Sequence, residues 1–140
     1  MDKSSYTGTC LCGELRYEVC GRFKYLCNCY CRSCQRASGA PYVAWGTADL
    51  DDFRVQRGQL RMVASSPGVE RGFCGNCGSC ISYAHKSRAG DIDITLATLD
   101  QPDQVVPQAH IWLQDKLPWV AIGDELPRYQ TRVTENDQAG

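Results

Sequence analysis

The cysteines of this 140-residue chain constrain its fold more than any other feature, because seven of the ten fall into three short clusters. In chain order the clusters are Cys10/Cys12, Cys29/Cys31/Cys34 and Cys74/Cys77. Cysteines at such spacings can present several sulfurs to one metal ion, whereas buried structural cysteines usually occur singly. The pattern therefore predicts metal ligands.

The start of the chain indicates where these thiols reside. Residues 1–8 lack the apolar core of a secretion signal, and no stretch approaches the ~18 apolar residues of a membrane span. We therefore expect a cytoplasmic protein without a membrane partner. Thiols stay reduced in the cytoplasm, which again favours metal ligands over disulfides.

The first and third clusters form one predicted site. Gly13 and Gly78 each directly follow the second cysteine of a pair, where a tight turn can aim backbone N–H groups at the sulfurs. Two pairs supply the four thiolates of a closed, structural zinc site, with Cys10, Cys12, Cys74 and Cys77 as ligands. The same ligand set also suits a single iron ion, and base rates favour zinc.

The second cluster allows two interpretations. Cys29, Cys31 and Cys34 supply three thiolates and leave a fourth zinc position for water or substrate, as catalytic sites do. Alternatively Cys27 joins them, since alternate residues share one face of a strand, and the site is closed. Strain in wrapping eight residues around one ion favours three ligands. We expect Cys20, Cys27 and Cys80 to be buried, unreactive thiols, with Cys80 as a substitute ligand in a minor alternative.

Short alternating segments broken by glycine, proline and aspartate predict an all-β domain with little helix. The predicted strands are residues 14–19, 42–45, 53–55, 60–63, 91–96 and 110–113. One short helix is predicted at residues 32–38, ending at Gly39, and loops at 102–107 and 118–127. We expect one domain over residues 1–140, with an ordered core at about 5–133 and a frayed tail from Thr134.

Charge and motifs exclude several functions. The net charge is −1, the isoelectric point is about 6.1, and no block of basic residues appears, so nucleic acid is not an expected partner. No nucleophile triad, phosphate loop, dinucleotide fingerprint or carboxylate pair is found. The two histidines, His85 and His110, are expected to be structural.

The order of the clusters resembles the glutathione-dependent formaldehyde-activating (GFA) family, which includes centromere protein V. The resemblance extends from about residue 8 to residue 129. The matching pieces are residues 8–13, 15–17, 29–40, 71–78, 96–100 and 110–112, with the pairs Pro118-Trp119 and Leu126-Pro127.

The resemblance implies a β-tent of short antiparallel sheets around two zinc ions. Cys10, Cys12, Cys74 and Cys77 would hold the structural ion, and Cys29, Cys31 and Cys34 the catalytic one. The implied activity is that of a carbon–sulfur lyase that joins formaldehyde to glutathione, its co-substrate, or reverses that reaction. Tyr30 departs from the family pattern, which often has histidine at this position.

The partner implied is a small-molecule thiol or aldehyde. Two alternatives stay open at the level of sequence. One is a non-catalytic zinc module that binds a protein, and the other is a thiol redox or metal-buffering protein.

Overall fold

The structure, a computed structural model, describes residues 5–133. Within that range the chain forms ten β-strands and one α-helix. The strands are β1 Ser5–Thr9, β2 Arg16–Cys20, β3 Tyr25–Cys29, β4 Val43–Asp49, β5 Phe53–Arg57, β6 Leu60–Ser66, β7 Val69–Cys74, β8 Cys80–His85, β9 Asp91–Thr95 and β10 Ala109–Ile111, and helix α1 is Arg32–Ser38. The prediction of a mostly β protein with short sheets and little helix is confirmed.

The chain divides into two compact units. The larger unit consists of the described residues of Met1–Tyr25 together with Gly46–Val105. The smaller unit consists of Leu26–Trp45 and the described residues of Val106–Gly140. Strand β4 contributes its first three residues to the smaller unit and the rest to the larger.

The larger unit contains the antiparallel sheet β1-β2-β5 and the strand order β4-β9-β8-β7-β6. Strand β2 follows the predicted period of two. Tyr17 and Val19 are completely buried, whereas Arg16 and Glu18 are half-buried. Ile81 and Ile94 are also completely buried, so the apolar residues of alternating strands form this unit's core.

The smaller unit has the strand order β10-β3-β4 and contains α1. Strand β10 pairs with β3 in parallel, with Ile111 opposite Cys29. The expectation of antiparallel sheets is therefore wrong for this pair. Parallel neighbours require a long connection, and about eighty residues separate β3 from β10, so no hairpin constrains their direction.

Most predicted elements appear with shifted ends. Helix α1 has the predicted bounds and ends at Gly39, whose φ is 74°. The strand predicted for residues 110–113 is shorter and ends at Ile111. Trp112 adopts a φ of 60°, which stops the strand, and a 3-10 turn follows at Leu113–Asp115.

The two predicted loops contain little regular structure. A 3-10 turn occupies Pro102–Gln104, and residues 118–127 contain neither helix nor strand. The tail predicted from Thr134 lies outside the described residues. Within residues 5–133, no helix has the length and apolar character that a membrane crossing requires.

Two candidate metal centres

The larger unit brings four predicted ligands together. The sulfurs of Cys10, Cys12, Cys74 and Cys77 all lie within 4.8 Å of one another. Cys10 directly follows β1 and Cys74 ends β7, so two strands deliver the two pairs. The Sγ–Sγ separations are 3.5 Å for Cys10–Cys12 and 3.8 Å for Cys12–Cys74.

Tight turns shape both pairs, as the sequence predicts. Gly13 has a φ of 85° and Gly78 a φ of 81°, values that side-chain-bearing residues rarely adopt. The backbone N–H of Leu15 donates to Cys10 Sγ at 3.2 Å. The N–H groups of Asn76 and Cys77 both donate to Cys74 Sγ at 3.4 Å. Such donors stabilise thiolates.

Ser79 joins the two turns, a role that sequence reasoning missed. Its hydroxyl accepts the backbone N–H of Leu11 at 2.9 Å and lies 3.1 Å from Cys77 Sγ. Donation by this hydroxyl, and then by the Ser79 N–H, lowers the pKa of the Cys77 thiol to about 5. The pocket thus favours thiolate at Cys77. A serine two residues after a cysteine is too common a pattern to signal this role.

The smaller unit brings the other three predicted ligands together. The sulfurs of Cys29, Cys31 and Cys34 lie within 4.8 Å of one another. Cys29 ends β3, Cys31 caps the N-terminus of α1, and Cys34 lies in the first turn of that helix. Cys29 and Cys34 are buried, whereas Cys31 is half-buried.

Backbone and indole N–H donors support this cluster. The Cys34 N–H donates to Cys31 Sγ at 3.3 Å, and the Trp45 indole Nε1–H donates to Cys34 Sγ at 3.4 Å. Trp45 is buried, so its indole contact with the sulfur is shielded from water. No role was predicted for Trp45, because a position eleven residues after Cys34 carries no recognisable motif.

The donor sets of both clusters fit a thiophilic metal ion. In the three-sulfur cluster, hydrogen bonds from Cys29 and then Cys34 lower the pKa of Cys31, whereas the hydrogen bonds of Cys29 to Cys31 and then to Cys34 raise the pKa of Cys29. One thiolate therefore forms at the expense of its neighbours. A divalent cation would offset the repulsion between neighbouring thiolates and allow all three sulfurs to ionise. An all-sulfur ligand set suits zinc or iron. Cys27 and Cys80 belong to neither sulfur group.

A chain of hydrogen bonds begins at Tyr30, between two of the predicted ligands. The Tyr30 hydroxyl lies 2.8 Å from Nδ1 of His110. Nε2 of His110 lies 2.9 and 3.1 Å from the two carboxylate oxygens of Asp124. Tyr30 and His110 are buried, and their partners come from positions 80 and 14 residues away along the chain.

Gln35 holds the same segment through its backbone. Its side-chain amide Nε2 donates to the Tyr30 carbonyl at 2.7 Å and to the Asp115 carbonyl at 3.1 Å. Gln35 is buried on α1, one residue after Cys34. No sequence pattern indicated a role for Gln35, Asp115 or Asp124, and His110 was predicted only to be structural.

The fold and these two clusters define a class: mostly β proteins with one four-sulfur and one three-sulfur candidate metal centre. The chain belongs to the GFA family, because the family model described as "Glutathione-dependent formaldehyde-activating enzyme" matches residues 5–115.

Two relatives agree with this assignment. The chain is 23% identical over 111 residues to the Schizosaccharomyces pombe protein named uncharacterized lyase C29B12.13, covering 79% of this chain and 80% of that protein. It also resembles a Rhodobacter sphaeroides protein of known crystal structure, with a TM-score of 0.54 and 25% identity. That match covers 72% of this chain and 97% of the other.

Proposed function

We propose that this protein is a zinc-dependent carbon–sulfur lyase that forms or cleaves S-hydroxymethylglutathione or a related glutathione adduct. The observation that carries the proposal is the group of only three sulfurs at Cys29, Cys31 and Cys34. Three protein ligands are typical of a zinc site that takes substrate in the fourth position. The family description names glutathione and formaldehyde, and the S. pombe relative is named a lyase.

The two clusters would have different tasks. Cys10, Cys12, Cys74 and Cys77 would hold a structural zinc ion, and Cys29, Cys31 and Cys34 a catalytic one. When bound at the three-sulfur cluster, zinc supplies a positive charge that lowers the pKa of a thiol in the open position.

The residues of the cluster fix the direction from which a substrate arrives. Cys29 and Cys34 are buried and Cys31 is half-buried, so the Cys31 side offers access. The indole of Trp45 occupies the buried side through its bond to Cys34 Sγ. A thiol substrate would therefore approach past Cys31. The cluster would hold its sulfur there for bond formation with the aldehyde.

The proposed reaction balances without a redox partner. The substrate thiol loses its proton, and its sulfur lone pair forms a bond to the carbonyl carbon of formaldehyde. The π electrons of the C=O bond move to oxygen, which takes up a proton. The reverse reaction breaks the C–S bond and returns the thiol and the aldehyde.

Glutathione binding tests the open position. Calorimetric titration in two buffers of different ionisation enthalpy should show proton release near neutral pH, because free thiols titrate near pH ~8.5. S-methylglutathione, which cannot form a thiolate, should bind at least about tenfold more weakly. Equal affinity for the two compounds would refute a metal–thiolate contact.

Exchange spectroscopy tests catalysis. The interconversion of glutathione and formaldehyde with their adduct should be faster with the parent protein than with Cys31→Ala. Cys31→Ala should keep the zinc of the four-sulfur cluster, because the clusters share no ligand. Equal rates with retained glutathione binding would favour a non-catalytic zinc module or an enzyme for another substrate.

A further inference from the structure

Tyr30 is held at both ends, although it contributes no ligand atom. Its hydroxyl contacts the imidazole of His110, and its carbonyl accepts the side-chain amide of Gln35 at 2.7 Å. Its own N–H donates to the Ile111 carbonyl at 3.0 Å. These three bonds immobilise the peptide between Cys29 and Cys31, and they come from β10 and α1 rather than from the cluster.

The direction of the hydrogen bonds follows from Asp124. An ionised carboxylate only accepts hydrogen bonds, so the Nε2-protonated tautomer of His110 is the one that matches this contact. Nδ1 is then bare and accepts, and the Tyr30 hydroxyl donates. The Tyr30 hydroxyl therefore donates to Nδ1 of His110, and Nε2 of His110 donates to the Asp124 carboxylate.

Strand register places the hydrogen-bonded residues on the face opposite the Cys29 side chain. His110 lies opposite Asn28 and Ile111 lies opposite Cys29 in the β3–β10 pair. Side chains alternate along an extended segment, so Tyr30 projects to the side opposite Cys29. The ring of Tyr42 stacks against that of Tyr30, with centroids 4.8 Å apart.

We propose that Asp124, His110 and Tyr30 are positioning residues that fix the Cys29–Cys31 peptide and so preorganise the three-sulfur cluster for its metal ion. The inference rests on zinc binding at that cluster, as proposed above. Three thiols on one short segment lack the rigidity that two distant strands give the four-sulfur cluster. Outer hydrogen bonds can supply that rigidity, and in metal proteins their loss typically costs ten- to a hundredfold in affinity.

Tyr30→Phe tests the proposal, with Tyr42→Phe as its matched control. Both substitutions remove one phenol hydroxyl and keep the stacked rings, but only the first breaks the bond to His110. Competition with a chromogenic chelator should show about tenfold weaker zinc binding at the weaker of the two sites in Tyr30→Phe. Tyr42→Phe should bind zinc as tightly as the parent, since Tyr42 is 38% exposed and its ring contact with Tyr30 is preserved.

A readout on His110 separates positioning from general stability. Nitrogen-15 NMR of the zinc-loaded parent should show the Nε2-protonated tautomer, and in Tyr30→Phe the Nδ1 resonance should move while Nε2 stays protonated. Asp124→Ala should lose the preference for this tautomer and weaken zinc binding. Its side chain is 46% exposed, so the variant should fold even if Tyr30→Phe does not.

The outcomes distinguish the two claims. If the parent binds only one zinc, the proposed function fails before the variants are compared. If the parent binds two, and Tyr30→Phe and Asp124→Ala bind both as tightly as Tyr42→Phe does, the positioning role is wrong and the proposed function stands. A Nδ1-protonated His110 in the parent would also overturn the positioning chain.

Discussion

The two cysteine clusters use similar ligands but are built in different ways. The four-sulfur cluster joins segments far apart in the chain, since Cys12 and Cys74 are 62 residues apart. The three-sulfur cluster takes all its sulfurs from one segment of six residues. A metal ion in the first closes a long loop, whereas a metal ion in the second closes almost none.

Because of this difference, we expect the four-sulfur cluster to contribute mainly to stability and the three-sulfur cluster mainly to function. A cluster that closes a long loop restricts the unfolded chain, so its metal contributes to folding free energy. A local cluster would contribute little to folding and, in the proposed function, would leave room for a ligand. Its geometry must then be maintained by neighbours such as Gln35 and Trp45 rather than by chain closure.

Cys77→Ser should have the largest effect, because it removes one of four ligands from the loop-closing cluster. We expect the melting temperature to fall by more than about 15 °C, together with loss of one zinc per chain. Thermal unfolding followed by circular dichroism measures this. Cys80→Ser, three residues further on and outside the sulfur group, is the control and should melt within a few degrees of the parent. A Cys77→Ser protein that melts like the parent would contradict a stabilising role for the four-sulfur cluster.

Cys31→Ala should have a smaller effect on stability and a complete effect on function. It should lose one zinc and all binding of glutathione by sulfur, at a stability cost of about 1 kcal/mol, mainly through the lost cap of α1. Cys31→Ser is the matched control, because its hydroxyl can still cap the helix. Metal analysis and thermal melts measure both. Two zinc ions retained in Cys31→Ala would mean that the cluster is not a metal site.

Gly78→Ala tests the turn of the four-sulfur cluster with an effect of about 1 kcal/mol. A Cβ at this position would meet nothing within 4 Å, so the expected loss comes only from the φ of 81°. Gly75→Ala in the same turn is the control, since its Cβ would make one ordinary contact, at 3.6 Å from the Gln59 carbonyl. Chemical denaturation measures both variants. Equal stability of the two would show that the left-handed conformation does not limit this turn.

Asp100→Asn should have the smallest effect, less than about 3 °C in melting temperature at neutral pH. Hydrogen bonds from Thr9 and Thr7, both at 2.7 Å, hold the pKa of Asp100 below its usual value. The carboxylate therefore stabilises the folded state fully above the unfolded pKa of about 3.9, and this contribution disappears as the pH falls through the lower folded pKa.

Melts of the parent and Asp100→Asn across pH 3–7 measure this difference. The gap between them should be constant near neutrality and close in acid. Thr9 directly precedes Cys10. The melts therefore show whether hydrogen bonds next to the four-sulfur cluster contribute to the stability of the protein. A gap that widens in acid would contradict the pKa direction.

Local patterns predicted much of this molecule. The cysteine clusters follow from spacing, and the turns at Gly13 and Gly78 follow from the need for positive φ. Helix α1 follows from its short run before Gly39. Each of these features depends on residues within a few positions of one another, where chain geometry alone limits the possibilities.

Contacts between distant segments were not predictable in the same way. The bond between Tyr30 and His110 spans 80 residues, and no periodicity or motif in the sequence relates the two. The parallel direction of β10 depends on the same long connection. The early end of that strand depends on a φ of 60° at Trp112, a conformation for which tryptophan has no intrinsic preference.

Cadmium-113 NMR of the protein with both sites loaded tests the contrast between the clusters most directly, because the chemical shift reports how many sulfurs surround each ion. If the three-sulfur cluster keeps an open position, two resonances should appear, one typical of four sulfurs and one of three. Glutathione should move only the second, toward the four-sulfur position, and S-methylglutathione should move neither. Two four-sulfur resonances before glutathione is added would contradict the open site, as would a three-sulfur resonance that glutathione leaves unchanged.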